Sequence, residues 1–184
     1  MILFVFAAAF DGCKKGPEDP GLTFKSRTAR MVGEWLITNI TQNDVDLLDF
    51  DTHLSFPAAQ PCDSLTIDAD VTLLIVYEME KNGDFTVIED TSIKVTTKLW
   101  GIDVSCVTVV NNLSGHVERP GTWRFAGGVG DSKNKEQVVL IDLYGESEIF
   151  DIIRLSAKEM KLQKEFIDFT NATQETLLIE LEKQ

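Results

Sequence analysis

Val71-Thr72-Leu73-Leu74-Ile75-Val76-Tyr77-Glu78-Met79 runs into Glu80-Lys81-Asn82-Gly83-Asp84 and then into Phe85-Thr86-Val87-Ile88. Val71, Leu73, Ile75, Tyr77 and Met79 recur every second residue, which puts them on one face of a strand. Lys81-Asn82-Gly83-Asp84 is a turn signal, so Phe85 to Ile88 starts the return strand of a hairpin. Outward from it the same period continues. On the N-terminal side Trp35, Ile37 and Asn39 alternate with Leu36, Thr38 and Ile40. On the C-terminal side follow Ile93 to Trp100, Val104 to Val110, Gly121 to Phe125, Val138 to Leu143, Ile149 to Leu155, Met160 to Phe166 and Glu175 to Leu181. Turn-rich clusters at Asn111-Asn112, Gly127 to Asp131 and Tyr144 to Ser147 separate them. Only Ser156 to Glu159 and Asp44 to Phe56 hint at a helical turn. The reading is all-β: an antiparallel meander of about eight to ten strands, closed into a barrel or folded as a sandwich. Closure removes the exposed edges of so many strands, and no helix is long enough for the crossovers of a parallel sheet.

The chain has 184 residues, enough for one domain with a real core, and its 17 Lys+Arg against 30 Asp+Glu give a net charge of -13. The charge divides unevenly. Residues 1–30 carry five basic and three acidic side chains, and the remainder carries 12 and 27. An acidic body argues against nucleic acid, whose phosphates need clustered Lys and Arg.

Met1-Ile2-Leu3-Phe4-Val5-Phe6-Ala7-Ala8-Ala9-Phe10 is too short to span a bilayer and has the length of a signal-peptide apolar region. Asp11-Gly12-Cys13 follows. A small residue before a Cys after an apolar run resembles the lipobox of bacterial lipoproteins. It departs from that pattern in Asp11 and in the basic residues expected ahead of the apolar run. The resemblance implies a signal peptide over 1–12 and acylation (palmitate among the chains) of Cys13 as the mature N-terminus. Residues 13–30 then read as a tether, with Pro17, Pro20, two Gly and five basic residues, next to a membrane whose anionic head groups attract them. Lys14 after the Cys resembles lipoproteins sorted to the outer membrane, and the leaflet is left open.

Met31-Val32-Gly33-Glu34-Trp35 looks like the Gly-x-Trp opening of lipocalin-like barrels, whose Trp plugs the barrel floor. Tyr77-Glu78-Met79, Gly83-Asp84-Phe85, Gly121-Thr122-Trp123-Arg124-Phe125 and Ile152 to Leu162 extend the likeness. Together they resemble the lipocalin-like domains of Gram-negative lipoproteins, over residues 31–184. The resemblance implies a small β-barrel and no particular activity.

With Cys13 acylated, Cys62 and Cys106 remain as an even pair. An oxidising cell envelope allows a disulfide between them, worth on the order of 3 to 4 kcal/mol by loop closure; the alternative is two buried thiols. There is no Cys-x-x-Cys, no Gly-x-Ser-x-Gly and no His-Glu-x-x-His. Gly127 to Lys133 lacks the spacing of a phosphate loop. His53 and His116 are the only histidines, each read as a solvated loop residue or as half of a two-His metal site.

Between Met31 and Glu80 stand ten acids and no Lys or Arg. Asp44, Asp46, Asp49 and Asp51 concentrate there. They read as a solvated acidic loop, as oxygen ligands for Ca²⁺ without EF-hand spacing, or as a surface for a basic partner. Tyr77, Phe85, Trp100, Trp123, Phe125 and Phe150 lie on predicted strands. They either fill the barrel interior or line an apolar pocket in it. The expectation is a non-enzymatic binding protein without a cofactor, lipid-anchored at the bacterial outer membrane, taking a small apolar ligand or a partner protein. The alternatives are a non-catalytic accessory subunit of an outer-membrane complex and, more remotely, a carboxylate-dependent hydrolase.

Overall fold

The computed structural model describes residues 26–48, 52–58, 62–101, 106–126, 137–168, 170 and 172–184. They form one helical turn, α1 (Arg27–Met31), and ten strands: β1 (Gly33–Gln42), β2 (Val45–Asp46), β3 (Thr52–Pro57), β4 (Ser64–Met79), β5 (Asp84–Trp100), β6 (Thr108–Ala126), β7 (Gln137–Asp142), β8 (Ser147–Leu155), β9 (Glu159–Asp168) and β10 (Thr173–Lys183). The strands lie in the order β2-β1-β10-β9-β8-β7-β6-β5-β4-β3, and β1 also pairs with β4. That second pairing, Gly33 opposite Met79 and Trp35 opposite Tyr77, closes eight strands into an antiparallel barrel and leaves β2 and β3 as additions. The expected all-β barrel is therefore present. The β4–β5 hairpin turns where the sequence predicts. Gly83 adopts a φ of 95°, and the Asn82 side chain accepts from the Asp84 backbone N–H at 2.9 Å.

Three segments differ from their sequence reading. Asp44 to Phe56 contains no helical turn among its described residues. Instead, Asn43 and Asp44, both at positive φ, make a two-residue turn into β2, and β3 pairs antiparallel with β4. Asn111-Asn112 is not a turn but mid-strand. β6 is bonded to its neighbour at both ends, Leu99 N–H to Val107 C=O and Trp123 N–H to Gly83 C=O, and pairing along 19 residues overrides the local preference of Asn. Ser156 to Glu159 is a tight strand connection whose Ser156 hydroxyl accepts from the backbone N–H groups of Lys158 and Glu159. The fold also starts earlier than Met31: Ser26 caps α1, and Arg30 and Met31 are buried.

The chain divides into two compact units. The barrel unit holds the described residues of Met1–Asp46, Ile75–Ile88 and Glu118–Gln184. Its core is built of alternate residues: Trp35 and Ile37 from β1, Met79, Phe85 and Trp123 from β4 to β6, Val138, Phe150 and Ile152 from β7 and β8, and Leu162, Ile179 and Leu181 from β9 and β10. A register shift in β1 between Ile37 and Asn39 breaks the expected alternation there. It turns Asn39 outward to Glu180 and sets Ile40 opposite the buried Ile179.

The second unit, Leu47–Leu74 with Glu89–Val117, is an open antiparallel sheet made of β3 and the remaining parts of β4, β5 and β6. Its two faces differ. Ion pairs Lys94–Asp70, Lys98–Asp68, His53–Asp68 and His116–Asp90 tie the strands together on one face. Alternation then sends Leu65, Ile67, Val71 and Leu73 of β4, and Ile93, Val95 and Leu99 of β5, to the other. Within this unit Cys62 and Cys106 form the expected disulfide, with Cα atoms 5.8 Å apart. It ties the residues before β4 to those before β6.

Candidate functional site: the barrel mouth

One end of the barrel is closed from the sequence upward. Ser26 begins α1 by accepting from the Ala29 N–H, and the turn delivers Met31 into the core. Trp35 is fully buried beneath it and donates its indole N–H to the Met31 carbonyl at 2.7 Å. Lys183, from the last strand, stands 4.9 Å from the Trp35 ring centre and donates to the carbonyls of Arg30 and Val32. Arg30 in turn donates to the Leu155 carbonyl. A second indole acts nearby: Trp123 donates to the Glu80 carbonyl at 2.9 Å and packs edge to face on Phe125. At this end Arg30, Met31, Trp35 and Trp123 are all buried.

Farther along the barrel a cavity of about 320 Å³ lies among Tyr77, Phe85, Val87, Leu140 and the residues around them. Tyr77 and Phe85 meet edge to face, with ring centres 5.1 Å apart. Gly121 forms part of the wall for a steric reason. A Cβ there would come within 2.3 Å of the Ile141 carbonyl oxygen, so only Gly lets β6 approach β7. Arg119, Asp142, Glu146 and Glu148 add charge to the lining. Two of these acids are already engaged: Asp142 accepts from the N–H groups of Tyr144 and Glu146 and so holds the β7–β8 turn, while Glu148 pairs with Lys164 at 3.0 Å. Lys164 also lies 5.9 Å from the Phe150 ring centre. The site is an apolar floor with a charged, hydrogen-bonded border, at the small end of the volumes typical of ligand sites.

The six aromatics singled out from the sequence separate into three groups. Phe85 and Tyr77 line the cavity; Trp123 and Phe150 are buried and Phe125 half-buried in the barrel. Trp100 belongs to the open sheet instead. It is 53% exposed, donates to the Thr66 hydroxyl at 3.1 Å and lies near Lys98. Val87, Arg119, Leu140 and Glu148 were not singled out, although counting by twos from Phe85, Trp123 and Phe150 reaches each of them or its paired neighbour.

The acidic cluster is only partly described. Asp44 is in the β1–β2 turn and Asp46 in β2, whereas Asp49 and Asp51 lie outside the described residues. Among the described residues no three His, Cys, Asp or Glu side chains gather in a metal-binding arrangement. His53 and His116 pair with different carboxylates, Asp68 and Asp90. Cys13 lies outside the described residues.

Comparison with family models, curated proteins and solved structures found no match.

Proposed function

We propose that the chain is a lipid-anchored binding protein of the bacterial cell envelope, a lipocalin-like barrel that takes one small apolar ligand at its mouth. The observation that carries this reading is the cavity above Tyr77 and Phe85, apolar below and charged at its border. An apolar body is desolvated on the aromatic floor, at about 25 cal/mol for each Å² removed from water. A polar end group stays with Arg119 and the acids of the border, which fixes orientation. The Trp35 plug under α1 supports the likeness to lipocalin-like barrels. Cys13 behind its apolar run supports the anchor.

Native mass spectrometry of the protein purified without denaturation tests the binding reading. The expected result is one small molecule per chain, absent from a Val87→Trp variant whose new indole fills the mouth. A wild-type chain that arrives empty and takes up no apolar probe contradicts it. The anchor is tested separately: Cys13→Ser should move the protein out of the membrane fraction, and a variant that stays there removes the lipoprotein reading.

A further inference from the structure

Among the described residues, no second layer covers one face of the open sheet. The ion pairs of Lys94, Lys98, His53 and His116 fix which side of β3 to β6 is polar. The opposite side is mainly apolar, from Leu54 and Phe56 of β3 to Val109 and Leu113 of β6, with Asn111 between the last two. None of these side chains is buried: Leu54 is 45%, Phe56 47%, Val109 47% and Leu113 60% exposed. The face carries no charged side chain between Leu65 and Leu73 of β4, or between Thr91 and Leu99 of β5, because every acid and lysine there alternates to the far side. A sheet with one apolar face is stable when a second layer covers it.

We propose that a second copy of this chain supplies that layer, the two apolar faces packing against each other as a β-sandwich across a two-fold axis. Area favours this occupant. At ~4.8 Å between strands and ~3.3 Å per residue, the four strand segments cover roughly 600 Å². Two copies then remove roughly 1,200 Å², the lower bound of stable protein interfaces. A patch of this size is at the upper end of what isolated soluble proteins leave open. A self-facing arrangement also suits the charges. Sheets in a sandwich stand about 10 Å apart, so the acids on the two outer faces lie about 20 Å or more from each other, beyond the ~8 Å screening length. An anionic bilayer is the poorer match, because Asp68, Asp70 and Asp90 belong to the same small sheet.

Sedimentation velocity on the full chain across a concentration series reads the outcome. The expected species has twice the 20.6 kDa mass of the chain. Leu113→Glu introduces a charge at a position exposed in one copy and covered in two. It should raise the dimer dissociation constant more than about 100-fold while leaving the β-sheet circular dichroism unchanged. Ser114→Glu, the next residue on the polar face, should leave the dimer intact. A wild-type chain that stays monomeric at tens of micromolar overturns the proposal, as does flotation of that monomer with phosphatidylcholine vesicles, which names a bilayer as the cover. Equal disruption by Leu113→Glu and Ser114→Glu also overturns it, because it points to pairing along the β6 edge rather than packing of the face. If Leu113→Glu alters the circular dichroism, Val109→Glu repeats the test on the same face. The outcome is independent of whether the barrel binds a ligand.

Discussion

The barrel and the open sheet share the strands β4, β5 and β6, yet they treat the same alternating pattern in opposite ways. In the barrel unit the apolar alternate residues are enclosed, and Trp35, Phe150, Leu162 and Leu181 are at most 1% exposed. In the open sheet the same alternation leaves Leu54, Phe56, Val109 and Leu113 between 45% and 60% exposed. The difference is closure. A β1–β4 pairing is available to the residues from Val76 to Met79, whereas the earlier part of β4 pairs with β3. Period two thus fixes which side chains share a face, and strand partners decide whether that face becomes a core or a surface.

The two regions each hold a tryptophan on which this contrast can be broken. Trp35→Ala should cost about 4 kcal/mol, because it removes a fully buried indole, its bond to the Met31 carbonyl and the platform for Lys183. Trp100→Ala removes an exposed ring with one bond to Thr66 and should cost less than about 1 kcal/mol. Urea denaturation of both variants measures the pair, and equal losses would remove the distinction between core and surface.

The disulfide sharpens the contrast in the other direction, because it lies wholly in the open sheet. Cys62 and Cys106 are separated by 44 residues, so replacing both with Ser should cost about 3 to 4 kcal/mol in the chain-entropy account. Amide exchange should accelerate in β3 and the first part of β4 while β8 to β10 stay protected. Uniform acceleration would mean that the two units open as one.

A smaller effect belongs to the outer wall of the barrel. Lys161 donates to Glu180 at 2.8 Å, and this bond, helped by one from Asn39 and opposed by partial burial, holds the Glu180 carboxyl below its ordinary value. A lowered folded-state value stabilises the fold above the unfolded value, and that stability is lost as pH falls through the folded one. For a partly exposed pair this amounts to about 0.5 kcal/mol. Glu180→Gln should therefore lower the urea midpoint slightly at pH 7, and the difference should shrink as pH falls through the folded-state value. A difference that persists in acid would assign the effect to packing.

The hairpin at Lys81–Asp84, the all-β class and the Cys62–Cys106 pairing were legible in the sequence, since each rests on short-range spacing or on parity. The lengths of the strands were not. Asn111-Asn112 reads as a turn, but strand pairing carries β6 through both amides, one on each face of the sheet. Pro120 is accommodated because β6 gains β7 as a partner only from Gly121 onward. For the site, the aromatic members Tyr77 and Phe85 were legible by type. Arg119 and Glu148 lie at even spacing from Trp123 and Phe150, but spacing alone does not tell which position along a strand lines a cavity. Trp100 was misgrouped with the barrel aromatics for the same reason.

Titration with N-phenyl-1-naphthylamine, a small neutral apolar fluorophore, tests the mouth as a binding site most directly. The account predicts one saturable site per chain that is retained by Leu113→Glu and lost in Val87→Trp. Binding that survives Val87→Trp and disappears in Leu113→Glu would contradict it and move the site to the open sheet.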